Sequence, residues 1–277
     1  MRNNSIQVLP PISSPQLSVP PRYSSPKFAQ VATILILFVV IYPAFQGAEV
    51  SPRALIEGAP YMQEVLLEMF PPSTERLPQV LSLLVSTLHM AVAGTIIGIL
   101  LALPLAILGA RKTTPHVLFY QSSRLIVSLA RTIPDLVWAL FFVVTVGIGP
   151  FAGVLTIAVD TLGFCGRFFA EGIEETESNP KEALETLGAG RRAILAIFIL
   201  PSSAPSFINT ALFSLEKAVR SSVVLGLVGA GGIGVELKVA MDTFRYDEAC
   251  TIILAIFALV IVVEQVSMHA RKWMASE

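Results

Sequence analysis

The sequence predicts an all-α integral membrane protein that crosses the bilayer six times. Three observations predict it. Hydrophobic residues make up 54% of the 277-residue chain and charged residues only 14%, where about a quarter of an ordinary soluble domain is charged; mean hydropathy is +0.72. Six apolar stretches, near residues 28–45, 80–109, 117–146, 150–170, 193–215 and 249–268, are each long enough to cross about 30 Å of hydrocarbon. The cationic residues then sort by side. Arg22, Lys27, Arg111, Lys112, Arg167, Lys181, Arg191, Arg192, Arg271 and Lys272 fall in or beside segments that six spans assign to one face. Arg53, Arg76, Lys238 and Arg245 fall on the other, among Glu49, Glu57, Glu64, Glu68 and Glu75. The positive-inside bias makes the first face cytoplasmic and puts both termini there.

Along the chain, residues 1–27 carry Pro10, Pro11, Pro15, Pro20, Pro21 and Pro26 among polar residues, a composition that cannot build a core and reads as a disordered cytoplasmic tail. Residues 28–45 follow Arg22 and Lys27 as a signal peptide's apolar core would, but their length and the later charge asymmetry favour a retained first span. Met62, Val65, Leu66, Met69 and Phe70 recur at helical spacing up to Pro71 and Pro72. That external stripe either lies along the outer membrane interface or packs on the bundle. The cytoplasmic loop 171–192 holds a short helix with explicit ends: Asn179 as N-cap, Pro180 at the first helical position, Glu182 as in a capping box, and Gly188 as the stop. Ala183, Leu184 and Leu187 share one face of it, a stripe fit for a groove on another protein.

The external segment 220–246 mixes apolar residues with glycines, and irregular backbone at that depth survives only when buried in protein or lining a cavity. Gly229, Gly231, Gly232 and Gly234 lie in GAGGIG, which fits a dinucleotide fingerprint by letter. It lacks the soluble βαβ unit and the spaced acid such a site needs. A tight re-entrant turn at a gate, where glycine lets two backbones approach, is the better reading.

His89, Arg124, Arg131, Asp135, Asp160, Glu216, Lys217, Arg220 and Glu264 fall within or at the edges of spans. A charge facing lipid at a helix centre costs about 2.5–3.5 kcal/mol, so these groups face protein or a wet path. Arg131 with Asp135, and Glu216 with Arg220, are four apart, and two readings stay open: structural ion pairs, or a path for an anion. The net charge of −1 and the absence of a basic cluster with interleaved aromatics exclude nucleic acid as a partner. Cys165 and Cys250 read as buried free thiols, and His89, His116 and His269 show no metal spacing. No catalytic constellation appears. With no GxxxxGK[ST] in the chain, energy for transport comes from a partner or an ion gradient.

NPKEALETLGAGRRAILAIFILP, residues 179–201, resembles the EAA loop of permease subunits of bacterial ATP-binding-cassette importers, whose pattern is Glu-Ala-Ala, three residues, Gly, nine residues, Ile-x-Leu-Pro. Glu182, Ala183, Gly188, Leu200 and Pro201 match; Leu184 and Phe198 depart from it and stay apolar. FQGAEVSP, RTIPDLVWALFFVVTVGIGPFAGVL and VRSSVVLGLVGAGGIG, which begin at Phe45, Arg131 and Val219, resemble the permease of phosphonate-type importers. The resemblance implies a methionine-importer-like bundle in a bacterial inner membrane, paired with a second copy and the lipid around it. It implies two ATP-binding subunits docked on residues 182–188, with ATP and Mg on those partners and no cofactor in this chain. It also implies an extracytoplasmic phosphonate-binding protein, and a ligand that is a phosphonate or a related oxyanion such as phosphite or phosphate. The alternatives are an importer permease for another small solute, a structural membrane partner with no conducting role, and an ion-coupled secondary transporter; the last usually shows internal repeats, and the chain has no convincing one.

Overall fold

A computed structural model describes residues 28–275, and the tail expected over 1–27 lies outside them. The regular secondary structure of the described residues is all helical, with no strand. The chain divides after Pro60 into two compact units. The first holds α1 (Phe28–Gly47) and the start of α2 (Pro52–Glu68). None of the hydrophobic window of α1 is buried, as befits a helix that is apolar all round and meets lipid. α2 is amphipathic and has no buried residue either.

The second unit is built on α3 (Leu77–Gly109) and α6 (Pro150–Glu175). A methyl group added at Gly94 or Gly98 would lie 2.7 Å from Ile157 or 2.5 Å from Thr161, so this G-x-x-x-G pair brings the two helices into close contact. In lipid, where apolar surfaces gain little by leaving the solvent, such small-residue packing is what holds helices together. Three clusters follow along the bundle. Val80, Leu84, Ile233 and Ile252 pack at one end, Met90, Ile157, Val219 and Leu225 in the middle, and Phe169, Ile173, Ile194 and Ile199 at the other end.

Residues 117–146 are not the one continuous stretch the composition suggests. α4 (Val117–Thr132) and α5 (Asp135–Val146) meet at 90°. Pro134 is the cause: it excludes the residue before it from helical backbone, and Ile133 is extended with ψ 123°. Among the described residues, five helices are therefore long and apolar enough to cross a membrane, or six with the bent pair as one span.

The next span is also longer than its apolar core. α8 (Arg191–Ile194), a π-segment (Leu195–Ile199) and α9 (Leu200–Leu227) run on as 37 residues, roughly 55 Å at 1.5 Å per residue. The π-segment sits just before Pro201. Proline cannot donate to the carbonyl four residues back and its ring crowds that carbonyl, so a widened turn, in which Leu200 N–H reaches Leu195 O, relieves the helix there. Beyond α9, irregular backbone is confined to residues 228–232; the rest of the 220–246 segment is the end of α9, α10 (Ile233–Asp242) and a short turn into α11 (Tyr246–Ala275).

Candidate coupling and translocation sites

α7 (Ser178–Thr186) leaves the bundle just after α6. It starts a residue before the expected cap: Glu177 is the N-cap and makes no side-chain cap bond, and Asn179 lies inside the first turn. Its stop is formed fully. Gly188 has φ +82°, its N–H donates to Glu185 O at 3.0 Å, and Ala189 N–H donates to Leu184 O at 3.0 Å. These are the paired bonds of a Schellman turn, which needs a left-handed residue. Leu184 and Ala189 pack against the cluster of Ile173, Ile194 and Ile199. Glu182, Ala183 and Leu187 face outward, Leu187 at 83% exposure. The three-residue stripe is thus divided: Leu184 ties α7 to the bundle and its neighbours are free to meet another protein.

At the opposite end, Gly229, Gly231 and Gly232 all have positive φ. Gly149 N–H donates to Gly229 O at 3.0 Å, and a methyl group on Gly231 would lie 2.5 Å from Pro150 N. Thr87, fully buried, accepts from Ile233 N–H at 2.8 Å and donates to Leu83 O at 2.7 Å. So a hydroxyl of α3 takes up an orphan donor at the start of α10. A methyl group on Gly234 would meet Val223 O at 2.0 Å. Outside this turn Arg76 joins Glu236 at 2.6 Å and Glu248 at 3.2 Å, while Arg245 joins Glu248 at 2.8 Å. Hydrogen bonding to Glu248, then the charge of Glu236, hold the Arg76 guanidinium above its ordinary value.

Neither pair expected at four-residue spacing is present. Asp135 accepts instead from Leu136 N–H at 2.9 Å at the head of α5, where a carboxylate meets the positive end of the helix. The 90° bend at Pro134 has carried it away from α4, and Arg131 has no ion-pair partner among the described residues. Glu216, 7% exposed, pairs with Arg271 of α11. Glu216 is buried, as are Ala218 and Val219, while Arg220, one turn on, is exposed and likewise without an ion-pair partner among the described residues. A second pair, missed because its members are 57 residues apart, joins Lys217 Nζ to Asp160 Oδ1 at 2.7 Å. Both residues lie about 15 Å from their helix ends, half the thickness of the hydrocarbon core.

The Glu216 pair has a direct test. Removing one member of a fully buried pair costs about 3–5 kcal/mol, an upper bound here because Arg271 keeps 28% side-chain exposure. Glu216→Gln should therefore lower the unfolding temperature in detergent. Adding Arg271→Gln should restore most of the loss, and adding Arg220→Gln should restore none; rescue by Arg220→Gln would reinstate the local pair.

A family profile described as binding-protein-dependent transport system inner membrane component matches residues 102–274. The phosphite transport system permease protein PtxC of Stutzerimonas stutzeri is 34% identical over 88% of this chain and 89% of its own. The phosphate-import permease protein PhnE of Mycolicibacterium smegmatis is 37% identical over 80% of this chain and 42% of its own. Among solved structures, an inward-facing methionine ABC transporter, MetNI, superposes on 72% of this chain and 98% of its own with TM-score 0.64 at 23% identity.

Proposed function

The chain belongs to the binding-protein-dependent transport system inner membrane components, and from that premise we propose that it is the membrane-spanning subunit of an ATP-driven importer for a phosphorus oxyanion. The observation that carries the substrate class is the alignment, over four-fifths or more of the chain, with permeases named for phosphite and phosphate import. Phosphonate, phosphite and phosphate all belong to that class. An extracytoplasmic binding protein delivers the ligand. Two copies of this chain form the path, and two ATP-binding subunits, which hold ATP and Mg, dock at α7. The α7 side is cytoplasmic, as the basic residues flanking it favour, and both termini lie there.

Coupling follows from how α7 is held. The ATP-binding subunits grip the outward residues Glu182, Ala183 and Leu187, and their closure on ATP moves α7. Leu184 and Gly188 pass that movement to the ends of α6 and α8, so the spans turn as rigid bodies. At the far end the turn of Gly229, Gly231, Gly232 and Gly234 serves as the outer gate, pinned to the start of α6 by backbone contacts and to α3 by the Thr87 hydroxyl. Arg220, about two turns inside it, guides the anion by charge. Asp135 heads the short helix beyond the bend and borders the same path.

The test is reconstitution with the ATP-binding subunits and binding protein in liposomes. Uptake of methylphosphonate, phosphite and phosphate should require both ATP and the binding protein, with one of the three preferred. Uptake driven by an ion gradient without ATP would refute the proposal.

A further inference from the structure

A cavity of about 700 Å³ lies between the end of α3, the inner face of α4 and the last turns of α6, at the end of the bundle that carries α7. Three arginines line it, Arg124, Arg131 and Arg167, against one carboxylate, Glu171. Arg167 and Glu171 are bonded to each other at 2.6 Å, so their charges offset locally. Arg124 pairs with Glu174 at 3.6 Å and lies 5.3 Å over the Tyr120 ring, yet its Nε is buried with no hydrogen-bond acceptor. Arg131 has no ion-pair partner among the described residues. The two are seven apart and hence on one face of α4, about 10 Å apart by helical rise, with the hydroxyl of Ser128 between them on the same wall. Buried donors nearly always find an acceptor in a native protein, so the Arg124 Nε calls for one; an anion in the cavity would supply it and would also meet the exposed Arg131 guanidinium on the same wall.

We propose that this cavity binds a phosphorus oxyanion on the α7 side of the bundle. The proposal rests on reading the chain as an importer subunit for that class and adds a discharge-side site, filled by the free anion as it leaves the path. Tetrahedral PO₃ and PO₄ groups match guanidinium forks by bidentate, charge-assisted bonds. A lipid headgroup offers the same chemistry, and the experiment separates the two.

The full chain is purified in nanodiscs of phosphatidylcholine, without ATP-binding subunits whose own sites would take up phosphate. Inorganic phosphate is titrated by calorimetry and by thermal unfolding. Saturable binding is expected, weakened roughly tenfold or more by Arg131→Gln and by Arg124→Gln, since one lost charge-assisted contact is worth about a factor of ten. Arg131→Lys, which keeps the charge and the fold, should weaken it less. Replacing part of the lipid by anionic phosphatidylglycerol should leave phosphate affinity unchanged. A fall in affinity in proportion to anionic lipid would assign the cavity to a headgroup and overturn the proposal. So would an absence of saturable binding to the wild-type chain, or unchanged affinity in an Arg124→Gln, Arg131→Gln chain of normal thermal stability. Uptake of a phosphorus oxyanion without phosphate binding here would reject this site alone; phosphate binding in a chain that imports no such anion would keep the site and reject the importer reading.

Discussion

Gly234→Ala should destabilise the protein severely although it adds a single methyl group. The added carbon would lie 2.0 Å from Val223 O and 2.9 Å from Gly226 Cα, and neither is the movable end of a side chain. α10 must shift off α9 to make room. Overpacking of this kind costs about 1–3 kcal/mol, and more where backbone is the obstacle. The shift would also pull Ile233 N–H from Thr87, leaving a buried donor unpaired at a further cost of about 1–3 kcal/mol. In detergent the unfolding temperature should fall by about 5 °C or more. Gly58→Ala, with nothing within 4 Å of the added carbon, is the control and should change little. Equal unfolding temperatures for Gly234→Ala and wild type would show that the α9–α10 contact is looser than it stands here.

What could be read in the sequence was what local chemistry decides. An apolar run of 33 residues, Leu77–Gly109, can hardly be anything but a spanning helix. Gly188 ends α7 because a left-handed stop is a property of one residue and its neighbours. The start of α7 was less legible, since several polar residues around Ser178 compete for the cap and the ranking among them is shallow. Pro134 was visible, yet hydropathy averages over a bend and passes residues 117–146 as one span. The charged pairs were legible only as a set of groups that must face protein. Glu216 has Arg220 one turn away, but the fold brings Arg271, 55 residues on, to its buried face. No periodicity encodes a partner on another helix. The same holds for the arginine-lined cavity, whose walls come from α3, α4 and α6 together.

Gly188→Val tests most directly whether α7 couples ATP to transport. Gly188 sits at φ +82° with nothing within 4 Å of an added Cβ, so the substitution acts on the turn and not on packing. A β-branched residue there carries about 1–2 kcal/mol of strain, enough to undo the Schellman bonds to Leu184 and Glu185 and misdirect α7. Gly190, at φ −71° with equally open surroundings, should accept alanine without effect. The measurement is ATP-driven uptake of isotope-labelled methylphosphonate, phosphite and phosphate into liposomes that hold the chain with its ATP-binding subunits and binding protein. The expected result for Gly188→Val is a loss of roughly tenfold or more in the uptake rate, with the complex assembled and basal ATP hydrolysis retained. Uptake at the wild-type rate by a correctly assembled Gly188→Val complex would contradict coupling through α7.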